Sequence, residues 1–197
     1  MKKRGIYQIK DSDKKVKEYT LSILTEDKAG LLNSITIIFN RRKMNISSIN
    51  ASSTEVNGVS RFTIVVSSTK EKITKVVNHI NKLIEVLGAF LYEEDEIYYQ
   101  EIALYKLSTK IFLKGDLIEK IIIRKYGAKI LKIEKDHIII QKTGTKVGTQ
   151  KLYDELKKFG EILEFARSGR VALSKKKRKT VNFIKQLEKT KSNKLNI

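Results

Sequence analysis

The residues best arranged for chemistry lie in one short stretch, Thr25-Glu26-Asp27-Lys28-Ala29-Gly30-Leu31-Leu32, with Asn45 following it. Asp27 precedes an apolar periodic run, where a carboxylate can cap a helix by accepting from first-turn N–H groups. Gly30, early in that helix by spacing, lowers helix stability, so a local reason for it is worth seeking. One reason is close approach. Without a Cβ, the first-turn N–H groups can receive a ligand carboxylate at the positive end of the helix dipole. Asn45 offers a donor and an acceptor to anything lying across a neighbouring copy's helix start. The same residues also describe an ordinary capped helix and a turn asparagine. Local spacing leaves both readings open.

Other chemistry is poorly supplied. The chain has 197 residues and no cysteine, which excludes disulfides, Cys-ligated zinc and thiol catalysis. His79 and His137 are the only histidines and lie far apart, so a His-rich metal site is not expected. Glu93, Glu94, Asp95 and Glu96 form a carboxylate run, but consecutive residues on a strand or linker diverge instead of converging on one substrate. The two glycines of "GTKVGTQ" at 144–150 match neither the P-loop nor the dinucleotide spacing. His137 beside Asp136 reads as a turn residue, and His79 as a flank of an apolar stripe. No metal ligand and no catalytic residue is assigned.

The elements that must position the 25–32 stretch follow from periodicity. Residues 19–24 read as a strand, and Leu31, Leu32, Ile35, Ile38 and Phe39 recur at helical spacing. Arg41-Arg42-Lys43 suits a helix C-terminus, where cations oppose the dipole. Strands return at 45–54 and around Phe62, Ile64 and Val66. Asn57-Gly58 between them is a strong hairpin signal, because both residues tolerate positive φ. Ile73, Val76, Val77, Ile80, Leu83, Ile84 and Leu87 predict a second helix, and 89–94 a closing strand. The order βαββαβ is the split βαβ, or ferredoxin-like, pattern in about 75 residues.

The order recurs more weakly. A strand at 101–107, a helix carrying Leu117, Ile118, Ile121 and Ile122, and a hairpin at 128–133 and 137–141 come first. A helix carrying Leu152, Leu156 and Phe159 and a final strand at 162–172 complete it. The fold class is therefore α+β, two tandem ferredoxin-like modules, with "YEEDEIYYQ" at 92–100 as the boundary.

The stretch "YTLSILTEDKAGLLNSITIIFNRRKMNISSINASSTEVNGVSRFTIVV" resembles the regulatory (small) subunit of acetolactate synthase. "EIALYKL" at 101–107 and "FGEILEFARSGRVALS" at 159–174 resemble the second half of the same family. The specific features are the D-x-x-G-L-L turn, the R-R-x-x-N-I segment and the closing R-S-G-R-V-A-L, in correct order. The resemblance implies an ACT effector-binding domain over 19–95 and a C-terminal ACT-like, ferredoxin-like domain over 96–174. A basic extension at 1–18 and a basic, disordered tail at 175–197 flank them, with at most a turn or two of amphipathic helix at 181–187.

The resemblance also implies function. It implies no catalytic centre in this chain, the acetolactate synthase catalytic (large) subunit as partner, and a homodimer through the ACT domains. The effector would be a branched-chain amino acid, usually valine, giving feedback inhibition in branched-chain amino-acid (isoleucine and valine) biosynthesis. Carried over by position, Asp27, Gly30, Leu31 and Leu32 come from one subunit, and the partner subunit's Asn45 and Ile46 complete the site. Thiamine diphosphate, FAD and magnesium would belong to the catalytic subunit, none to this chain. Asp27 stands where the family often has asparagine, and Lys43 where glycine is common.

The net charge of +19 invites a nucleic-acid reading. Residues 1–18 contribute +4 and residues 175–197 contribute +8, so 12 of the 19 charges sit in terminal tails, which are usually solvated. An RNA-recognition module shares the βαββαβ order but needs stacking aromatics on its central strands. "SRFTIVVS" offers only Phe62. Nucleic acid is therefore not expected as a partner, though a salt-sensitive contact by "KKKRK" at 175–179 stays as an alternative, as does a free-standing ACT sensor. No apolar run reaches the ~18 residues of a membrane span and no signal peptide is recognisable, which points to the cytoplasm. Tyr98 and Tyr99 could be interface anchors, with Tyr105 better suited to the second core. Dimerisation by side-by-side pairing of the two first strands is the expected geometry.

Overall fold

The computed structural model describes residues 15–114, 124–160, 162–176 and 182–184. The chain forms two compact units. One runs to Tyr98 and includes the chain from Leu173 onward, and the other is Tyr99–Ala172. Among the described residues no helix is long and apolar enough to cross a membrane.

In the first unit, β1 (Lys17–Glu26) leads to α1 (Leu31–Asn40), β2 (Ile46–Ser53), β3 (Val59–Ser68), α2 (Lys70–Ile80) and β4 (Val86–Tyr92). The antiparallel sheet has the order β2-β3-β1-β4. Alternation puts Tyr19, Leu21 and Ile23 of β1 and Phe62, Ile64 and Val66 of β3 on one face. The helices cover that face through Ile35, Ile38 and Phe39 of α1 and Ile73, Val76, Val77 and Ile80 of α2. These positions recur every three or four residues, which is why both segments are helices and not strands. β1 is interior, bonded to β3 on one side and β4 on the other. Pairing of two first strands between copies is therefore ruled out, because β1 has no unpaired edge.

Two local features of the first unit depart from the sequence expectations. The apolar stripe at Leu83, Ile84 and Leu87 is not helical; α2 ends at Ile80 and Ile84 is 85% exposed. Asn81 makes the turn: its carboxamide accepts from Ala89 N–H at 2.7 Å and donates to Ala89 O at 3.3 Å, pinning the helix end to β4. The β2–β3 hairpin is present, but only Gly58 has positive φ, at 73°, so the turn is not the two-residue type in which both Asn57 and Gly58 would. Thr54 N–H instead reaches Val59 O across a longer loop.

Lys43 is the single non-glycine residue at positive φ among the described residues, at 52°. Met44 N–H bonds Phe39 O and Lys43 N–H bonds Asn40 O, the pair that closes a helix through a left-handed residue. Glycine is the residue that position favours. Lys43→Gly is expected to stabilise the first unit by about 0.5–1 kcal/mol, because relief of left-handed strain outweighs added chain entropy. In a thermal melt that corresponds to a rise of a few degrees; an unchanged or lowered midpoint would contradict it.

In the second unit, β5 (Ile97–Ser108), β6 (Lys129–Ile133), β7 (His137–Gly144), α3 (Lys146–Lys157) and β8 (Ile162–Arg167) follow in order. The sheet order is β6-β7-β5-β8, with β9 (Val171–Ser174) also against β5. The expected helix with Leu117, Ile118, Ile121 and Ile122 lies outside the described residues. The expected single strand at 162–172 is two, broken at Ser168–Arg170 where Gly169 takes φ 78°. Tyr105 and Leu107 are fully buried with Ile138, Ile140 and Leu152. The two sheets and their helices make the α+β, doubled ferredoxin-like architecture expected from the sequence.

Candidate functional site

The turn between β1 and α1 is built around Gly30, at φ 85°, immediately before Leu31 opens the helix. Gly30 therefore lies outside the regular helix, and its conformation, which disfavours a Cβ, is the local reason for glycine. A Cβ placed there meets no atom within 4 Å, so the turn faces open space.

Asp27 does not cap α1. Its carboxylate accepts from Ser60 Oγ at 3.0 Å, and its N–H donates to Gly58 O at 2.9 Å. Local spacing suggests a cap at Asp27 only if the helix begins earlier than Leu31. The left-handed residue instead turns the chain three positions later. α1 thus starts with no side-chain cap and no acidic residue in its first turn. The contrast is internal: Thr69 caps α2 by accepting from Lys72 N–H, and Thr145 caps α3 by accepting from Gly148 N–H. The first N–H groups of any helix lack intrahelical acceptors, and those of α1 have no side chain in that role.

Leu31 is buried and Leu32 is 41% exposed at the same turn. Asn45 and Ile46 lie at the other end of α1, a helix of ten residues and hence about 15 Å long. Asn45 is exposed and Ile46 half-buried against the first core. One chain therefore gathers Asp27, Gly30, Leu31 and Leu32, and does not bring Asn45 and Ile46 to them.

Ser60 and Thr25 have features at this turn that spacing alone does not give. Ser60 faces Thr25 across the β1–β3 register and supplies the hydroxyl that fixes Asp27. The Thr25 hydroxyl is fully buried and has no hydrogen-bond partner. A strand pairing exposes such residues, and one sequence does not give its register.

Elsewhere several charged groups are engaged. Glu93 accepts from Lys70 at 2.9 Å and Lys17 at 3.0 Å, and these lysines, Lys70 first, hold its carboxyl below the usual glutamate range. Glu96 accepts from Glu93 N–H at 3.0 Å. His137 pairs through Nδ1 with Asp136 at 2.7 Å, on the surface. Arg42 donates to Ile38 O and to His79 Nδ1, both at 3.2 Å, beside an open cavity of about 290 Å³ lined by Arg42, Lys75, Asn78, His79 and Lys82. A guanidinium only donates, so Nδ1 is the acceptor in this contact. Among the described residues no group of three His, Asp or Glu is placed to hold a metal.

The closing R-S-G-R segment is structural in the second unit. Arg167 reaches buried Glu101 at 3.4 Å, which also accepts from Thr149 Oγ1 at 2.6 Å. Arg170, 5% exposed, lies 3.8 Å from the Tyr99 ring centroid. Tyr99 is thus a cation–π partner, whereas Tyr98 is 69% exposed. The RNA-recognition reading fails on geometry: Phe62 belongs to the core beneath the helices, and the opposite face of β1 and β3 carries Thr20, Ser22, Leu24, Arg61, Thr63 and Val65.

Comparison with known proteins agrees with this layout. Residues 21–88 match the model for an AHAS small subunit-like ACT domain, and residues 100–176 that for the small subunit of acetolactate synthase. The acetolactate synthase small subunit of Mycolicibacterium smegmatis is 35% identical over 157 residues, covering 80% of this chain and 91% of that protein. The Bacillus subtilis acetolactate synthase small subunit is 32% identical over 160 residues, covering 79% and 89%. The crystal structure of the small subunit from Thermotoga maritima superimposes with a TM-score of 0.73 at 26% identity, covering 82% of this chain and 99% of that one. With two units of this fold, a D-x-x-G-L-L turn at an uncapped helix and full-length relatives at this identity, the chain belongs to the acetolactate synthase small-subunit family.

Proposed function

We propose that this chain is a non-catalytic regulatory subunit that activates an acetolactate synthase catalytic (large) subunit in the cytoplasm and confers feedback inhibition by valine. Two copies pair through their first units. Each effector site then combines the Asp27–Leu32 turn of one protomer with the partner subunit's Asn45 and Ile46. The uncapped, outward-facing start of α1 is the observation that carries this reading. An amino-acid carboxylate satisfies the first-turn N–H groups and the positive end of the dipole. Asp27 or Asn45 receives the ammonium, and Leu31, Leu32 and Ile46 surround the isopropyl group.

The separation of the two half-sites within one chain supports a site shared between copies. β2 is an outer strand, begins beside Asn45, and contains neither a charged residue nor proline. An undefended edge of this kind favours strand addition, so pairing is assigned to β2. Valine inhibits by binding more tightly to the dimer arrangement in which the second unit engages the catalytic subunit less productively. Thiamine diphosphate, FAD and magnesium reside in that catalytic subunit.

The test is calorimetric titration of the full chain with valine, leucine and isoleucine, followed by reconstitution with a catalytic acetolactate synthase subunit. Saturable binding of valine at one site per protomer, together with valine-sensitive activation, is expected. Activation without any amino-acid binding would retain the partner and remove the effector site.

A further inference from the structure

Part of the face of the first sheet opposite the helices is buried, although no helix of the first unit's βαββαβ order lies on it. Ser22, Arg61 and Phe90 of that face stay partly exposed. Thr20, Leu24, Thr63 and Val65 of that face are each no more than 4% exposed. Gly88 stands opposite Leu24 in the β1–β4 register. Its φ is not in the left-handed region, so backbone conformation does not require a glycine there. Space does. A Cβ on Gly88 would lie 3.0 Å from Cζ of Phe183 and 3.0 Å from Cζ of Phe90. A glycine inside a strand commonly marks such a close approach. Phe183 meets Phe90 edge to face, with ring centroids 5.3 Å apart and planes at 72°, and its neighbour Ile184 is 5% exposed. Residues 182–184 form a helical turn, within the 181–187 stretch where the sequence leaves room for a turn or two of amphipathic helix.

This segment lies beyond residue 176, where the match to the family model ends. The point where it leaves the folded body is also held. Lys175 N–H donates to Glu96 O at 2.9 Å, Lys176 Nζ is 3.6 Å from Glu96 Oε1, and Lys175 Nζ is 5.2 Å from the Tyr98 ring centroid.

We propose that the helical turn at 182–184 is a built-in cover for part of the helix-free face of the first sheet. Phe183 and Ile184 are the plug, and Gly88 with Phe90 the seat. While seated, the plug prevents that face from burying itself against a second copy of the chain, and it leaves the β2 edge and the turn at Gly30 untouched. This proposal does not depend on amino-acid binding.

The test compares the full chain with a chain ending at Lys176, with Phe183→Asp and with Gly88→Ala. The readouts are binding of an apolar fluorescent dye, sedimentation across micromolar concentrations, and the rate of tryptic cleavage within 177–191. Truncation and Phe183→Asp are expected to raise dye binding and self-association. Phe183→Asp is also expected to be cleaved about tenfold faster or more, since cleavage follows the undocked population. Gly88→Ala, which adds one methyl against two rings, should move cleavage in the same direction. A peptide of residues 177–197 added to the truncated chain should suppress the dye signal, and the same peptide with Phe183→Asp should not. That rescue separates an uncovered face from a misfolded one. Dye binding, sedimentation and cleavage unchanged by Phe183→Asp, or a peptide without effect on the truncated chain, would overturn the proposal.

Discussion

Gly30→Asp is expected to weaken valine binding by about a hundredfold or more while leaving activation of the catalytic subunit in place. Two effects combine. The first is backbone strain, since Gly30 sits at φ 85° and a side chain there costs roughly 1–2 kcal/mol. The second is charge. A carboxylate at the start of α1 would stand where the ligand's own carboxylate is proposed to bind, and two like charges about 5 Å apart repel by about 3 kcal/mol at an effective dielectric of 20. That alone is worth about two orders of magnitude in affinity. Gly30→Asn separates the two effects, because asparagine tolerates the left-handed region and carries no charge. It should retain most of the binding that Gly30→Asp loses, at a similar thermal midpoint. The open space before Gly30 means neither variant clashes with its own chain. Calorimetry on both variants, with melting curves as the control, decides the matter. Equal loss in both would assign the effect to strain, and equal retention would place the effector elsewhere.

Much of the fold was legible because burial leaves a period in the sequence. Leu31, Ile35, Ile38 and Phe39 announce α1, and Phe62, Ile64 and Val66 announce a strand, because each set lies on one face of its element. The misreadings arose where a single polar contact overrode that period. Leu83 and Leu87 continue the helical spacing of α2, but the paired hydrogen bonds from Asn81 to Ala89 end the helix first. Asp27 is a fitting cap residue, yet Ser60 takes its carboxylate and a left-handed Gly30 shifts the helix start. Both contacts depend on long-range pairing, which local spacing does not contain. The choice of β1 as a dimer edge failed for the same reason: strand order is a property of the whole sheet, and here it makes β1 interior. The candidate site was legible chiefly through resemblance. Its residues lie at two ends of α1, and nothing local joins Asn45 to Gly30. Lys43 is the opposite case: the resemblance places it where glycine is common, and the structure gives it a left-handed φ of 52°.

Tyr105→Ala is expected to unfold the second unit or bring it to the edge of unfolding, while the first unit keeps its structure. The Tyr105 ring is fully buried, 5.0 Å between centroids from Phe165, and its hydroxyl donates to Thr149 O at 2.7 Å. Removing such a ring from a core costs about 3–5 kcal/mol. A unit of about 75 residues has a total stability of only about 4–11 kcal/mol, so the loss is a large fraction of it. Tyr105→Phe keeps the ring and loses one buried hydrogen bond, for about 1–2 kcal/mol. Burial pushes the phenol's pKa well above its usual value near 10, with the Glu101 carboxylate acting in the same direction and Arg167 against it. A group whose folded pKa is raised contributes stability that is complete below the unfolded value and declines as pH rises above it. The parent should therefore lose stability above about pH 10, and Tyr105→Phe should lose less over the same interval. Scanning calorimetry with valine present reads both predictions. The expected trace for Tyr105→Ala lacks one transition and keeps a ligand-shifted one from the first unit. If the trace instead showed one transition displaced as a whole, the two units would be folding as one, and a signal arising at Gly30 would pass to the second unit through shared stability instead of a change in docking.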